Sequence, residues 1–215
     1  MKFTISPAPQ GSPEWLAARA GRATGSRAND IVAKIKSGEA ASRRDYRMEL
    51  MIERLTGLPT PQGYYGPEMQ WGNEQEPFAR MAYEEATGNI VEESGFLSAD
   101  NLMVGVSLDG SINKFEGITE FKCPKTATHV AYLKANVVPS TYIPQMTHEL
   151  WVTDAQWCDF VSFDPRLPKH LQLFIIRLHR KDVDIAAYER EVLMFLAELN
   201  EDTKWATNFK PRAIQ

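Results

Sequence analysis

The sequence predicts a mixed α/β fold, a central mixed β-sheet flanked by helices, and three observations carry that prediction. Up to residue 86, apolar side chains recur at helical spacing. Between residues 90 and 123 the pattern shortens into strand-length pieces bounded by Gly, Asn and Asp. Beyond them helical and strand patterns alternate and end in a long amphipathic stretch. A chain of 215 residues with 43% hydrophobic content can bury a full core. One domain over residues 1–215 is therefore expected, with residues 1–60 as an N-terminal helical segment.

The elements follow in order. Ser12-Pro13-Glu14 starts a helix over residues 14–20, with Ser12 as cap and proline in the first turn. A small-residue loop leads to Ser26, which is placed to cap a second helix over 27–36 with Ala28, Ile31, Val32 and Ile35 on one face. Tyr46, Leu50, Met51 and Leu55 mark a third helix over 40–56, stopped by Gly57. Two prolines and two glycines make residues 58–66 a loop. Pro67 opens a helix to residue 86 with Trp71, Phe78, Ala79, Met81 and Ala82 as its buried face. Strands at 90–93, 95–98, 103–109 and 117–123 form an antiparallel meander. Helices over 126–136 and 142–151, strands at 158–163 and 171–178, and a closing helix over 182–205 complete the chain.

Charge and composition narrow the function classes. A net charge of −4 argues against a protein that coats nucleic acid by bulk positive charge, while leaving room for local basic patches. Arg43, Arg44 and Arg47, and Arg177 with Arg180 and Lys181, are the candidate patches. No apolar run reaches the ~20 residues of a membrane span, and the N-terminus has no apolar signal core, so a soluble, cytoplasmic protein with no membrane partner is expected. Cys123 and Cys158 are too few for a disulfide scaffold and are expected to be reduced core residues. His129, His148, His170 and His179 lack metal-ligand spacing, so any metal is expected on oxygen ligands, magnesium or manganese rather than zinc.

Chemistry concentrates in Val106-Ser107-Leu108-Asp109-Gly110 and Gly117-Ile118-Thr119-Glu120-Phe121-Lys122. Alternation puts Ser107 with Asp109, and Glu120 with Lys122, on shared strand faces. If the two strands pair as a hairpin, Asp109 approaches Glu120. Two carboxylates brought together repel unless a cation joins them. A divalent ion resolves the conflict and takes the Phe121 carbonyl as a further ligand. Lys122 then orients the nucleophile or offsets phosphoryl charge. Glu76, on the preceding helix, offers a third carboxylate.

Trp71-Gly72, Glu76 and Ala79-Arg80, then Ser107-x-Asp109-Gly110, then Glu120-x-Lys122-Cys123-Pro124, then Gln145 before Trp151-Val152-Thr153, form an ordered series. The series resembles the lambda exonuclease (YqaJ-type) branch of the PD-(D/E)xK nucleases, over residues 15–165. The resemblance implies a restriction-endonuclease-like core and a magnesium-dependent, processive 5′-to-3′ exonuclease on linear duplex DNA. It would release 5′-mononucleotides and leave a 3′ strand for recombination by annealing. It further implies two Mg2+ ions per site with Mn2+ able to substitute, a homotrimer ring, a single-strand-annealing protein as partner, and a phage or prophage gene expressed in a bacterial cytoplasm.

Carried over by position, Asp109 and Glu120 are metal ligands, Glu76 a supporting ligand or water holder, Lys122 the catalytic lysine and Gln145 the active-site glutamine. Where the family often carries tyrosine, this chain has Glu149. Trp15-x-x-x-Arg19 with Thr24-x-Ser26 resembles the segment that binds the terminal 5′-phosphate, so residues 1–60 contribute to a DNA-end pocket. A guanidinium forks onto phosphate and a hydroxyl with free amides favours an anion. Ser107 adds a hydroxyl, and Arg22 or Arg27 could stand in for Arg19. Met69 aligns with an apolar wedge at the end base pair. Thr128 stands where the family has a basic residue, with Lys125 nearby, and Phe163-Asp164-Pro165-Arg166 is assigned to structure. The competing expectations are an endonuclease or helicase-associated module with the same metal core, and an inactive DNA-end-binding ring protein.

Overall fold

The computed structural model describes residues 1–61 and 66–211; residues 62–65 of the expected loop lie outside the described residues. Its strands divide into two four-stranded mixed sheets flanked by helices. In the first sheet β1 (Phe3–Ser6) runs antiparallel to β3 (Phe96–Ala99), which runs antiparallel to β4 (Val104–Ser107). The two-residue β2 (Ala23–Thr24) closes that sheet in parallel with β4. In the second sheet β5 (Gly110–Ile112) pairs antiparallel with β6 (Gly117–Lys122), β6 parallel with β7 (Trp157–Phe163), and β7 antiparallel with β8 (Leu173–His179).

The meander is therefore broken between Ser107 and Gly110. The expected hairpin of 103–109 with 117–123 does not form; β5 is the hairpin partner of β6. The chain crosses from one sheet to the other through Leu108, whose side chain is buried, and Asp109. Gly110 makes the crossing possible, because a Cβ there would stand 2.1 Å from Val91 Cγ1 and 2.7 Å from Thr119 Oγ1. The expected strand at 90–93 reduces to one bridge between Glu92 and Ser111.

The helices are capped by local chemistry. In α1 (Pro13–Arg19) the Ser12 hydroxyl accepts from the Trp15 amide at 3.2 Å. The second expected helix is cut short: a 3-10 turn at Gly25–Arg27 precedes α2 (Ala28–Ile31). Ser26 sits inside that turn and does not cap a helix, and Ile35, expected on the buried face, is exposed. Helices α3 (Ala41–Thr56) and α4 (Pro67–Thr87) end at Gly57 and Gly88, both in the left-handed conformation that glycine adopts without strain. Pro77 interrupts the hydrogen-bond ladder inside α4. That helix buries Ala79 and Tyr83, whereas Phe78 and Met81, expected inside, face outward. Helices α5 (Thr126–Ala135), α6 (Ile143–Thr153) and α7 (Ile185–Asn208) follow.

Alternation in the second sheet serves two cores. Ile118, Cys158 and Phe160 join Met146 and Leu150 of α6 and Val192, Phe195 and Leu199 of α7 in the larger one. Phe121, Val161 and Phe163 point the other way, against Ala79 and Tyr83 of α4. Each fully buried Phe or Leu contributes roughly 1.5–3 kcal/mol, so both faces of this sheet are firmly fixed. The consequence for chemistry is that Glu120, flanked by Thr119 and Phe121, faces α6 by the same alternation. No helix among the described residues is long and apolar enough to cross a membrane.

Candidate active site

Glu120 stands at the centre, fully buried on β6. Its Oε1 accepts from Gln145 Nε2 at 2.7 Å and pairs with the Lys122 ammonium. Its Oε2 is buried without a hydrogen-bond partner. Lys122 also donates to the Phe121 carbonyl at 3.1 Å and lies 5.5 Å from the centre of the Tyr142 ring. Burial opposes the Lys122 charge, yet Glu120 and Asp109 outweigh it and hold the lysine above its ordinary pKa. The Lys122 ammonium is thus held in place by its carboxylate neighbours.

Asp109 reaches the cluster from the crossing between the sheets. Its Oδ2 accepts from the Phe121 amide at 2.7 Å, and that bond brings it to β6 without any strand pairing. Burial, then the charges of Glu120 and Glu76, push Asp109 up to about 8. Glu76 stands on α4, half-buried, 3.9 Å from Arg80, and burial raises its pKa as well. Arg80 also donates to the Asp109 carbonyl at 3.4 Å and pairs with Glu93.

Among the described residues no three His, Cys, Asp or Glu side chains form a ready-made metal cage. The oxygens present nevertheless suit a hard divalent ion. The lone buried Oε2 of Glu120 calls for a cation, and Lys122 bridges two of the proposed donors, Glu120 Oε1 and the Phe121 carbonyl, as a stand-in charge.

A second polar site lies at the same end of β4, at its last residue, Ser107. Arg19 donates to Ser107 Oγ at 3.0 Å and Ser26 Oγ at 3.2 Å, and its guanidinium stacks 4.2 Å from the Trp15 ring centre. Thr24 Oγ1 lies 3.4 Å from Ser26 Oγ, and the Tyr46 hydroxyl accepts from the Thr24 amide at 3.0 Å. Burial lowers the Arg19 pKa, and no described Asp or Glu forms an ion pair with Arg19. A partly buried guanidinium without an ion-paired carboxylate keeps donors that suit an external anion. Arg27 is not equivalent, since Asp30 and Glu49 pair with it and Tyr46 covers it. Arg22 donates to the Leu102 carbonyl.

Other candidates stand apart from these two centres. Met69 is exposed in the first turn of α4, and Lys125 pairs with Glu68 at 2.6 Å. Arg43 and Arg47 are consumed by Glu39, Glu198 and Asp202, a network that ties α3 to α7. Arg177 grips the buried Asp159 at 2.8 and 2.9 Å, and Arg180 pairs with Asp154. Those two expected patches are mostly internal ties. Sequence reasoning missed Tyr46, which reads as an apolar helix position; Trp15 and Arg80 entered only as members of the resembling motifs, without a role of their own.

A family model described as the YqaJ-like viral recombinase domain matches residues 14–156. Among solved structures, the crystal structure of an alkaline exonuclease, LHK-Exo, from Laribacter hongkongensis is 41% identical with a TM-score of 0.82, covering 91% of this chain and 96% of that one. The structure of LHK-Exo in complex with dAMP is 42% identical over the same shares, with a TM-score of 0.81. A phage related exonuclease from Haemophilus somnus 129PT, at 16% identity and a TM-score of 0.67 over 87% of this chain and 96% of that one, shares the fold. No curated protein matches the chain. With the family model spanning residues 14–156 and a solved relative 41% identical over nearly its whole length, this chain belongs to the YqaJ-like viral recombinase family, the lambda exonuclease branch of the PD-(D/E)xK nucleases.

Proposed function

We propose that the chain is a metal-dependent exonuclease that degrades one strand of linear duplex DNA from a 5′-phosphorylated end. One observation carries this reading: Ser107, in the pocket of the uncompensated Arg19, and Asp109, in the carboxylate cluster, are two residues apart on one continuous backbone segment. An anion grip and a hydrolytic centre so close together suit a chain end better than an internal bond. The naming of LHK-Exo as an alkaline exonuclease, and its complex with dAMP, a mononucleotide of the class such hydrolysis releases, support it.

In this reading Arg19, Ser26, Thr24 and Ser107 bind the terminal phosphate and set the register of the strand. Asp109, Glu120 and the Phe121 carbonyl would hold Mg2+ or Mn2+, two ions per site, with Glu76 supporting them. A bound ion polarises the phosphodiester and offsets its developing charge. Lys122 orients the nucleophile or offsets charge on the phosphoryl oxygens. Gln145 orients the attacking water, and Met69 wedges the end base pair. The homotrimer ring, the processivity it would confer and an annealing partner belong to the same reading and follow from the family resemblance. Light scattering of the purified chain tests the trimer.

The deciding experiment is time-resolved digestion of linear duplex DNA labelled at either end, with and without 5′-phosphate, in Mg2+ and in chelator. The expected result is mononucleotide release from 5′-phosphorylated ends in Mg2+ alone, lost in Asp109→Ala. Equal rates on 5′-hydroxyl ends would remove the phosphate grip, and efficient cutting of closed circles would sink the exonuclease reading in favour of an endonuclease.

A further inference from the structure

Behind the carboxylate cluster lies a residue that the reaction above does not use. Glu149 is buried on α6, one turn after Gln145. Gln145 Nε2 donates to Glu120 Oε1 at 2.7 Å and to Glu149 Oε1 at 3.0 Å. An amide nitrogen carries two hydrogens, so both are spent, and turning the amide over would set its oxygen against Glu120. The Gln145 carbonyl oxygen is thereby aimed away from both glutamates. Glu149 is itself fixed from behind: Cys158 Sγ lies 3.9 Å from its Oε2. The Gly25 turn that carries Ser26 rests on it, since a Cβ at Gly25 would sit 3.6 Å from Glu149 Cγ.

We propose that Glu149 is a positioning residue, which locks the Gln145 amide so that its carbonyl oxygen faces the reacting phosphodiester and accepts a hydrogen from the attacking water. The proposal rests on the nuclease reading of the Asp109 and Glu120 cluster and adds a role that this reading does not contain. Glu149 touches no substrate; it acts through Gln145.

The test is a double-mutant cycle on linear duplex DNA in Mg2+, reading kcat, KM and thermal midpoint. Glu149→Leu is expected to lower kcat roughly 10–100-fold with KM little changed, the size of effect typical when a supporting partner of a reacting group is lost. Glu149→Gln, which keeps an acceptor oxygen, should recover most of that loss. In a Gln145→Ala background Glu149→Leu should cost nothing further, a result that a merely structural role would not give. Glu149→Met serves as the apolar variant if the leucine form does not fold. Equal losses from Glu149→Leu in both backgrounds would overturn the positioning role while leaving the nuclease reading intact. A Gln145→Ala enzyme with full kcat would overturn it too. Persistent digestion by Asp109→Ala would instead strike the underlying reading.

Discussion

Arg19 is held by hydroxyls and an indole and forms no ion pair with a described carboxylate, so its substitution should alter end recognition before it alters folding. Arg19→Lys keeps the charge but loses the fork and the stack. The expected outcome is that the preference for 5′-phosphorylated over 5′-hydroxyl ends falls by roughly tenfold, about 1.4 kcal/mol of discrimination, with Asp109-dependent cleavage retained; initial digestion rates on the two substrates measure it. A different residue governs acid stability. His148 is buried between Tyr188, 2.7 Å from its Nδ1, and Trp151, and burial lowers its pKa from 6.5 to about 4. Between those values the unfolded chain binds a proton that the native chain refuses. The stabilisation from neutral His148 is therefore complete above about pH 6.5 and is lost as pH falls toward 4, up to ~3 kcal/mol. Urea unfolding at pH 7 and pH 5 should show the wild type losing more stability than His148→Gln; equal losses would contradict the assignment. Asp109, Glu120 and Lys122 were legible because one motif spells them out. Tyr46 was not, since its ring satisfies the helical pattern and only the fold shows its hydroxyl under Thr24.

At the scale of elements, the helices were legible where apolar spacing and end signals agreed. Ser12 at the start of α1 and the glycines that end α3 and α4 are such places. The strands were less so. β2 is two residues long, too short for any period, and β1 is an edge strand that pairs with β3, ninety or more positions away in sequence. The adjacency of 103–109 and 117–123 suggested a hairpin, but nothing in the alternation tells that the chain changes sheet at Leu108. Gly110 is the physical trace of that change. Gly110→Ala should destabilise the protein by roughly 2–4 kcal/mol, the range of overpacking at a rigid contact and above, because Val91 and Thr119 occupy the space. Chemical denaturation checks it, and a change under 0.5 kcal/mol would show that the crossing relaxes. The α3 and α7 ion-pair network explains a second misjudgement, since a run of arginines in sequence carries no sign of the Glu198 and Asp202 that neutralise it.

For the whole molecule, the cluster of carboxylates raises the free energy of the metal-free fold. Binding a cation to the native state alone should therefore stabilise it by mass action, about 2.7 kcal/mol at a hundredfold excess over the dissociation constant. Calorimetry should show the thermal midpoint rising on addition of Mg2+ and falling back with chelator, with Glu120→Gln insensitive to both; an unchanged wild-type midpoint would remove the metal assignment. The two-sheet architecture was the part least open to sequence, because no local pattern states which strands share a sheet, while the mixed α/β class was open to it. The crossing at Ser107, Leu108 and Asp109 has a metrical meaning. Two residues of chain span at most about 7 Å even when extended, and the bend at Asp109 keeps the two centres within that reach, the order of one nucleotide's length of backbone. On the proposed reading this segment is a ruler with the terminal phosphate at one mark and the scissile bond at the other. It would set the product at a single nucleotide irrespective of base, because the gauge is main chain and not a side-chain pocket.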